Sequence, residues 1–547
     1  MHFGTERPEQ LRRAEWVVCL GAMLAAIGLH VVYLTHAGGL WRDETNSIHI
    51  ATSATVGELW RLQAYSSFPA LFDVLVRCWW TVGLGGSDLG FRWLGFLIGL
   101  ALLGAVWLNA RVLRASLPLF SLGLLATNLT LVRWGDSLRA YGLGALLTLL
   151  TLALVWSLIR APSVWRFMAA TLAAVFSVQC LYQNAFLLSA ICLAGCFVCF
   201  RRRQDRTGLI VVAVGVMPAL SLLPYLGPAQ ISRRWWVVEQ TGFNAGVVWS
   251  SFSDALGSPM AWTIPVWIGL GVAAACRGGL HLLAGRRWRR QPGEEVRLFA
   301  AITLALSAFL FLTFVAISRL PTQPWYWLPL MVPAAVCIDT VLGDWLERYR
   351  GWRVGFVALI TFVPLLTGVS LARYRQTNLD LIAARLRDQA KPNDLILVYP
   401  WFYGLTFNRY YAGAAPWTTL PALADLRVHR YDLLKKRMAA TNPIQPVLDR
   451  IAQTLTTGNR LWVVGELPAP ETRQAAPLDL PPAPDSQYGW ADMPYTFVWG
   501  RQTERFITEH GGHIEAVPLD STDPVSAYEK CSLAVVKGWA SISDPAR

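Results

Sequence analysis

The fold class this sequence predicts is a polytopic α-helical membrane protein with a C-terminal soluble α/β domain. Three observations predict it. Hydrophobic residues make up 54% of the 547 and charged residues only 15%, outside the range of ordinary soluble chains. Mostly apolar runs of about 17 to 22 residues, the length a helix needs to cross hydrocarbon, recur up to residue 372. Beyond that point the apolar runs shrink to strand length, and all five lysines of the chain, at 391, 435, 436, 530 and 537, lie there.

The runs place about 11 transmembrane helices near 16–34, 91–110, 116–132, 141–159, 165–182, 184–200, 208–226, 259–280, 297–317, 325–343 and 354–372. Arg12 and Arg13 precede the first run, but Leu29-His30-Val31-Val32-Tyr33 offers no small-residue cleavage site, so it reads as a retained helix. Arginine sets the orientation, because cytoplasmic segments are enriched in it. With the N-terminus inside, each inside segment is basic: Arg7, Arg12 and Arg13; Arg111 and Arg114; Arg160 and Arg166; Arg201 to Arg203 with Arg206; Arg286, Arg287, Arg289 and Arg290; Arg348, Arg350 and Arg353. An odd number of spans then leaves the C-terminal part outside. The net charge of +13 is accounted for by this topology, and no nucleic-acid partner is expected. Cys192, Cys196 and Cys199 share one apolar run with no histidine near, which reads as membrane core and not as a metal site.

The first outer loop, about 36–90, is long. Val56 to Leu62 and Leu71 to Trp80 read as amphipathic helices with Trp and Arg flanks, suited to the membrane interface, and Ser66-Ser67-Phe68-Pro69 separates them. From 373 to 547 the pattern is that of an extracytoplasmic α/β domain: a helix from Leu379 to Gln389, a buried strand from Asp394 to Tyr399, a helix from Pro446 to Thr456, a strand from Arg460 to Val464 and a last strand from Cys531 to Val536. Strands alternating with helices suggest a partly parallel sheet. Leu467 to Pro484 is proline-rich and reads as a surface loop. There is no Walker loop and no GxGxxG.

Trp41-Arg42-Asp43-Glu44-Thr45-Asn46-Ser47 follows the first apolar run at once. A carboxylate beside hydrocarbon is costly to desolvate, which suits a site that meets a proton, an ion or a substrate. Asp43 is therefore a candidate base or divalent-cation ligand, with Glu44 orienting it; the plain alternative is a solvated loop whose acids pair with Arg42. Arginine on the outer side runs against topological preference, and a guanidinium matched to a phosphate is one reason for it. Arg139 in Asp136-Ser137-Leu138-Arg139-Ala140-Tyr141, Arg233 and Arg234 beside Trp235 and Trp236, and Arg319 before Pro321 are such residues; helix-end snorkelling is the alternative. Tyr141, Tyr182, Gln183 and Asn184 are candidate substrate contacts, although a polar pair such as Gln183-Asn184 more often makes a tight interhelical turn.

These residues, taken in order, resemble the GT-C glycosyltransferases. The resemblance rests on Asp43-Glu44 opening a long outer loop, Phe68-Pro69-Ala70-Leu71-Phe72-Asp73-Val74-Leu75 where relatives often carry His-Pro-Pro-Leu, Asp88-Leu89-Gly90-Phe91-Arg92-Trp93-Leu94 leading into a glycine-rich span, and Asp136 to Tyr141. It points to the bacterial relatives of protein O-mannosyltransferases and of lipid A aminoarabinose transferases, over about residues 10 to 240. The resemblance implies a glycosyltransferase of the bacterial inner membrane. It would move a sugar, with inversion, from a polyprenyl-phosphate donor to a lipid, glycan or protein acceptor outside. It also implies that Asp43 is the base or a metal ligand, so a divalent metal ion is the one cofactor to test, and that Arg139 holds the donor phosphate. A transporter or flippase for a lipid-linked substrate is the alternative; it would favour charges in mid-helix and two internally similar halves, and the sequence shows neither, Asp339 being the main exception to apolar runs free of acids. A non-enzymatic scaffold is a third reading.

Overall fold

The computed structural model describes residues 6–114, 116–236, 243–283, 293–319, 321–343, 345–468, 480–484, 491–519 and 523–540. The arginine cluster at 286–290 and most of the proline-rich segment lie outside them. Among the described residues nine helices are long and apolar enough to cross a membrane: Glu9–His36, Asp88–Arg114, Ala140–Arg160, Asn184–Arg201, Asp205–Ile231, Thr263–Leu280, Glu294–Ser318, Pro324–Leu342 and Glu347–Ala372. The chain is an integral membrane protein.

Two of the expected spans take another form. The run at 116–132 is broken into Leu119–Leu125 and Leu129–Gly135. Asn128 makes the break: its side chain accepts from the Leu131 N–H at 3.0 Å and donates to the Ala255 carbonyl at 2.9 Å, so it caps a new helix where the apolar pattern reads as continuous. The run at 165–182 is the 17-residue helix Val164–Cys180, capped by Ser163.

The chain divides into two compact units, one of residues 1–35, 68–226 and 242–373, the other of 36–67, 227–241 and 374–547. In the first, two buried acids are paired. His30 Nδ1 lies 2.7 Å from Asp136 Oδ2, both buried. A Cβ on Gly95 would meet the Asp136 carbonyl oxygen at 1.9 Å, and one on Gly99 would meet Asp136 Oδ1 at 2.0 Å. The glycine-rich face of helix Asp88–Arg114 is thus what lets Asp136 come close. Asp339 accepts from the Ser121 hydroxyl at 2.9 Å and lies 3.2 Å from Arg114, so this intramembrane acid is part of a helix clamp.

In the second unit β1 (Leu395–Val398), β2 (Trp417–Thr419), β3 (Leu461–Val464), β4 (Gly511–Ala516) and β5 (Leu533–Trp539) form one sheet in the order β2-β1-β3-β5-β4. β1 is parallel to β2 and β3, whereas β5 is antiparallel to β3 and β4. The unbroken apolar runs of β1 and β3 reflect cover on both faces. Leu395, Leu397, Leu461 and Val463 point to one core with Val447, Ile451 and Leu455 of helix Gln445–Thr456. Ile396, Val398, Trp462 and Val464 point to the other with Leu379, Ile382, Ala383 and Leu386 of helix Leu379–Gln389. Helix Asp492–His510 and β4 complete the unit.

Segment 36–67 is packed into this second unit. The Gln376 N–H donates to the Ala37 carbonyl at 2.8 Å, the Leu40 N–H to the Tyr410 hydroxyl oxygen at 2.6 Å, and the Arg430 guanidinium lies 5.1 Å from the Tyr65 ring.

Candidate active site

Asp43 stands in the first turn of a helix, Arg42–Ala51. Trp41 precedes it in extended conformation, and the Glu44 carboxylate reaches back to the Trp41 N–H at 3.4 Å, one half of a capping box. Glu44 is fully buried: its place is at the cap of the helix. Asp43 keeps 22% of its side chain exposed. At this end of a helix the macrodipole favours a carboxylate.

The second unit anchors that first turn. The Arg42 N–H donates to Glu529 Oε2 at 3.1 Å and its guanidinium to the Tyr528 carbonyl at 3.0 Å. The same guanidinium covers the Phe402 ring at 4.6 Å, a cation–π contact. Glu529 is fully buried, and burial pushes its carboxyl up to about 7 against the pull of Arg42 beside it. Asp43 Oδ1 lies 3.3 Å from His429 Nε2 and 3.8 Å from Arg42 Nε. One turn further along the helix, Asn46 Oδ1 accepts the His429 backbone N–H at 2.9 Å. The helix therefore presents a partly exposed carboxylate between a histidine and an arginine, able to take up a proton from a nucleophile.

A second group forms in the membrane unit. Arg139 immediately precedes helix Ala140–Arg160, is 6% exposed, and has its guanidinium 4.4 Å from the Phe68 ring centroid. Phe68 meets Tyr141 edge-on at 5.2 Å, and Tyr141 lies 6.0 Å from Tyr326. Gln183 donates to the Tyr326 carbonyl at 3.2 Å. Three of the residues singled out in the sequence, Arg139, Tyr141 and Gln183, are thus gathered around Phe68 and Tyr326.

The others stand elsewhere. Asn184 is fully buried and its amide donates to the Gly144 carbonyl and to Ser177, at 3.0 to 3.2 Å, which makes it a tie between helices. Tyr182 is exposed and meets Tyr225 edge-on at 6.0 Å. Arg319 is exposed and ends helix Glu294–Ser318 in the left-handed region, φ 52°. Arg233 and Arg234 lie in helix Leu226–Trp236, their side chains outside the described residues. Among the described residues no three His, Cys, Asp or Glu are grouped to hold a metal ion. Asp43 has a guanidinium as its neighbour, which repels a dication, so the residues present do not fit the metal that the resemblance implies.

No family model and no curated protein matches the sequence. Solved structures do. The Archaeoglobus fulgidus oligosaccharyltransferase in complex with Zn and sulfate aligns at a TM-score of 0.51 and 12% identity, over 93% of this chain and 73% of that one. Its apo form aligns at 0.50, also at 12% identity, over 94% and 75%. ArnT from Cupriavidus metallidurans bound to undecaprenyl phosphate aligns at 0.49 and 13% identity, over 82% and 92%. The chain shares its fold with the Archaeoglobus fulgidus oligosaccharyltransferase.

Proposed function

We propose that this protein is an integral-membrane glycosyltransferase that moves a sugar from a polyprenyl-phosphate donor to a lipid, glycan or protein acceptor outside the cytoplasm. The observation that carries the reading is Asp43. In a fold shared with an oligosaccharyltransferase, it is a partly exposed carboxylate on a helix that begins six residues after the first membrane helix ends. Asp43 accepts the acceptor's proton while the acceptor oxygen or nitrogen attacks the anomeric carbon. The bond from that carbon to the phosphate oxygen breaks, and polyprenyl phosphate leaves with the electron pair. A single displacement inverts the anomeric centre.

Arg139 holds the leaving phosphate, with Tyr141 and Gln183 beside it as contacts to the donor, and Arg319, Arg233 and Arg234 are further candidates for that charge. A lipid-linked donor needs no soluble nucleotide site, in keeping with a sequence that has no Walker or GxGxxG motif. The enzyme belongs in a bacterial inner membrane with its N-terminus inside. The test is transfer by the purified protein from a panel of polyprenyl-phosphate sugars, beside Asp43→Asn. Loss of a general base lowers turnover by about 10²- to 10⁴-fold. Wild-type turnover in the variant would remove Asp43 as the base, and donor-lipid movement without transfer would favour the transporter.

A further inference from the structure

We propose that His429 is the positioning residue of the Asp43 carboxylate. The inference rests on the reading of Asp43 as base, and it concerns a residue 386 positions away in the chain. Helix Arg42–Ala51 takes hold of His429 twice: Asn46 accepts its backbone N–H at 2.9 Å, and Asp43 Oδ1 lies 3.3 Å from ring Nε2. A carboxylate is acceptor-only, so Nε2 carries the hydrogen of this contact.

The ring plane is fixed from its other sides. Tyr431 stacks on it with centroids 5.8 Å apart and 18° between planes, and the fully buried Trp401 meets it at 6.4 Å and 87°. The neighbouring arginines have acids of their own: Arg430 bonds Asp432 at 2.7 Å and Asp425 at 3.0 Å, and Arg427 bonds Asp425 at 3.1 Å. Arg42, the cation at Asp43, is tied to Tyr528 and Glu529. A histidine aimed in this way at one carboxylate oxygen sets the carboxylate plane. It thereby sets the direction in which the other oxygen presents its lone pairs to an acceptor.

Misplacing a reacting group by about 1 Å costs on the order of 10²-fold in rate, which sets the scale of the test. Transfer is measured for His429→Ala, His429→Phe and His429→Gln beside Asp43→Asn, with donor concentration varied. The expected result is a loss of kcat of about 10- to 100-fold in Ala and Phe with donor KM unchanged. Gln, whose side-chain amide restores an N–H toward Asp43, recovers most of that loss. Phe keeps a ring against Tyr431 and Trp401 while removing the N–H, so wild-type kcat in Phe overturns the proposal even where Ala does not fold. A kcat loss in Ala that Gln does not recover, or an effect confined to KM, overturns it as well. If Asp43→Asn is inactive while the His429 variants match wild type, the His429 inference alone falls. If Asp43→Asn keeps transfer, the base assignment falls first.

Discussion

Replacing Glu529 by glutamine should make the protein more stable in alkaline solution, although the change deletes half of an ion pair. Glu529 is fully buried, with its carboxylate 3.7 Å from an Arg42 guanidinium nitrogen and accepting the Arg42 backbone N–H. Desolvation outweighs this company and pushes the carboxyl up to about 7, against an ordinary 4.5. The folded chain therefore holds the proton more tightly than the unfolded chain. The stability this contributes is complete below about pH 4.5 and is lost as pH rises through 7. At about 1.4 kcal/mol per pH unit the loss comes to about 3 kcal/mol. Glutamine resembles the protonated form in shape and charge, and its amide oxygen can still accept from the Arg42 N–H. The variant should match wild type near pH 5 and exceed it by up to about 3 kcal/mol at pH 9. Thermal unfolding of both proteins in the same detergent, from pH 5 to 9, reads the difference as a melting-temperature gap that opens with pH. A variant less stable than wild type at pH 8 to 9 would refute the reasoning, since that is how a net-favourable ion pair behaves.

Arg139→Ala should raise the donor KM by about 10- to 100-fold, the worth of a charged hydrogen bond or two. Arg139→Lys should recover only part of this, because an ammonium lacks the planar fork; donor titrations of both variants check it, and an unchanged KM removes Arg139 from the phosphate site. A chelator should leave transfer unchanged, because the Asp43 neighbours are His429 and Arg42; a rate abolished by chelator and restored by a divalent cation would contradict this. Gly95→Ala puts a methyl 1.9 Å from the Asp136 carbonyl oxygen and should cost about 1 to 3 kcal/mol by overpacking. Gly104→Ala in the same helix, where nothing lies within 4 Å, should be neutral or slightly stabilising. Melting temperatures of the two variants decide the comparison.

The parts of this fold that show in the sequence are those whose signal is local. Helix Leu379–Gln389 and the buried runs of β1 and β3 announce themselves by period and by apolar continuity, because each packs a face that its own side chains define. The elements that do not show depend on a partner or on one polar atom. Helix Arg42–Ala51, with its polar first turns, has no apolar stripe of helical width; it forms where Arg42 and Asn46 find Glu529 and His429. Asn128 divides an apolar run through one side-chain cap. β4 (Gly511–Ala516) is largely exposed and is a strand by virtue of pairing with β5.

The candidate site divides in the same way. Asp43 and Arg139 stand out because a carboxylate at a membrane helix end, and an arginine on what the arginine pattern reads as the outer side, are each anomalous by themselves. His429 lies in Arg427-Val428-His429-Arg430, where the flanking arginines read as a solvated face, and only the fold brings it to an acid 386 residues away. Phe68 is the instructive case. Where the resemblance in the sequence sets a histidine before Pro69, this chain has an aromatic ring, which from sequence alone reads as a lost polar group. In the fold the ring lies 4.4 Å from the Arg139 guanidinium and edge-on to Tyr141. The ring gives the arginine a π face, worth about 0.5 to 2 kcal/mol for a partly desolvated pair. Such a contact cannot be recognised until the arginine, 71 residues on, is known to share the same place.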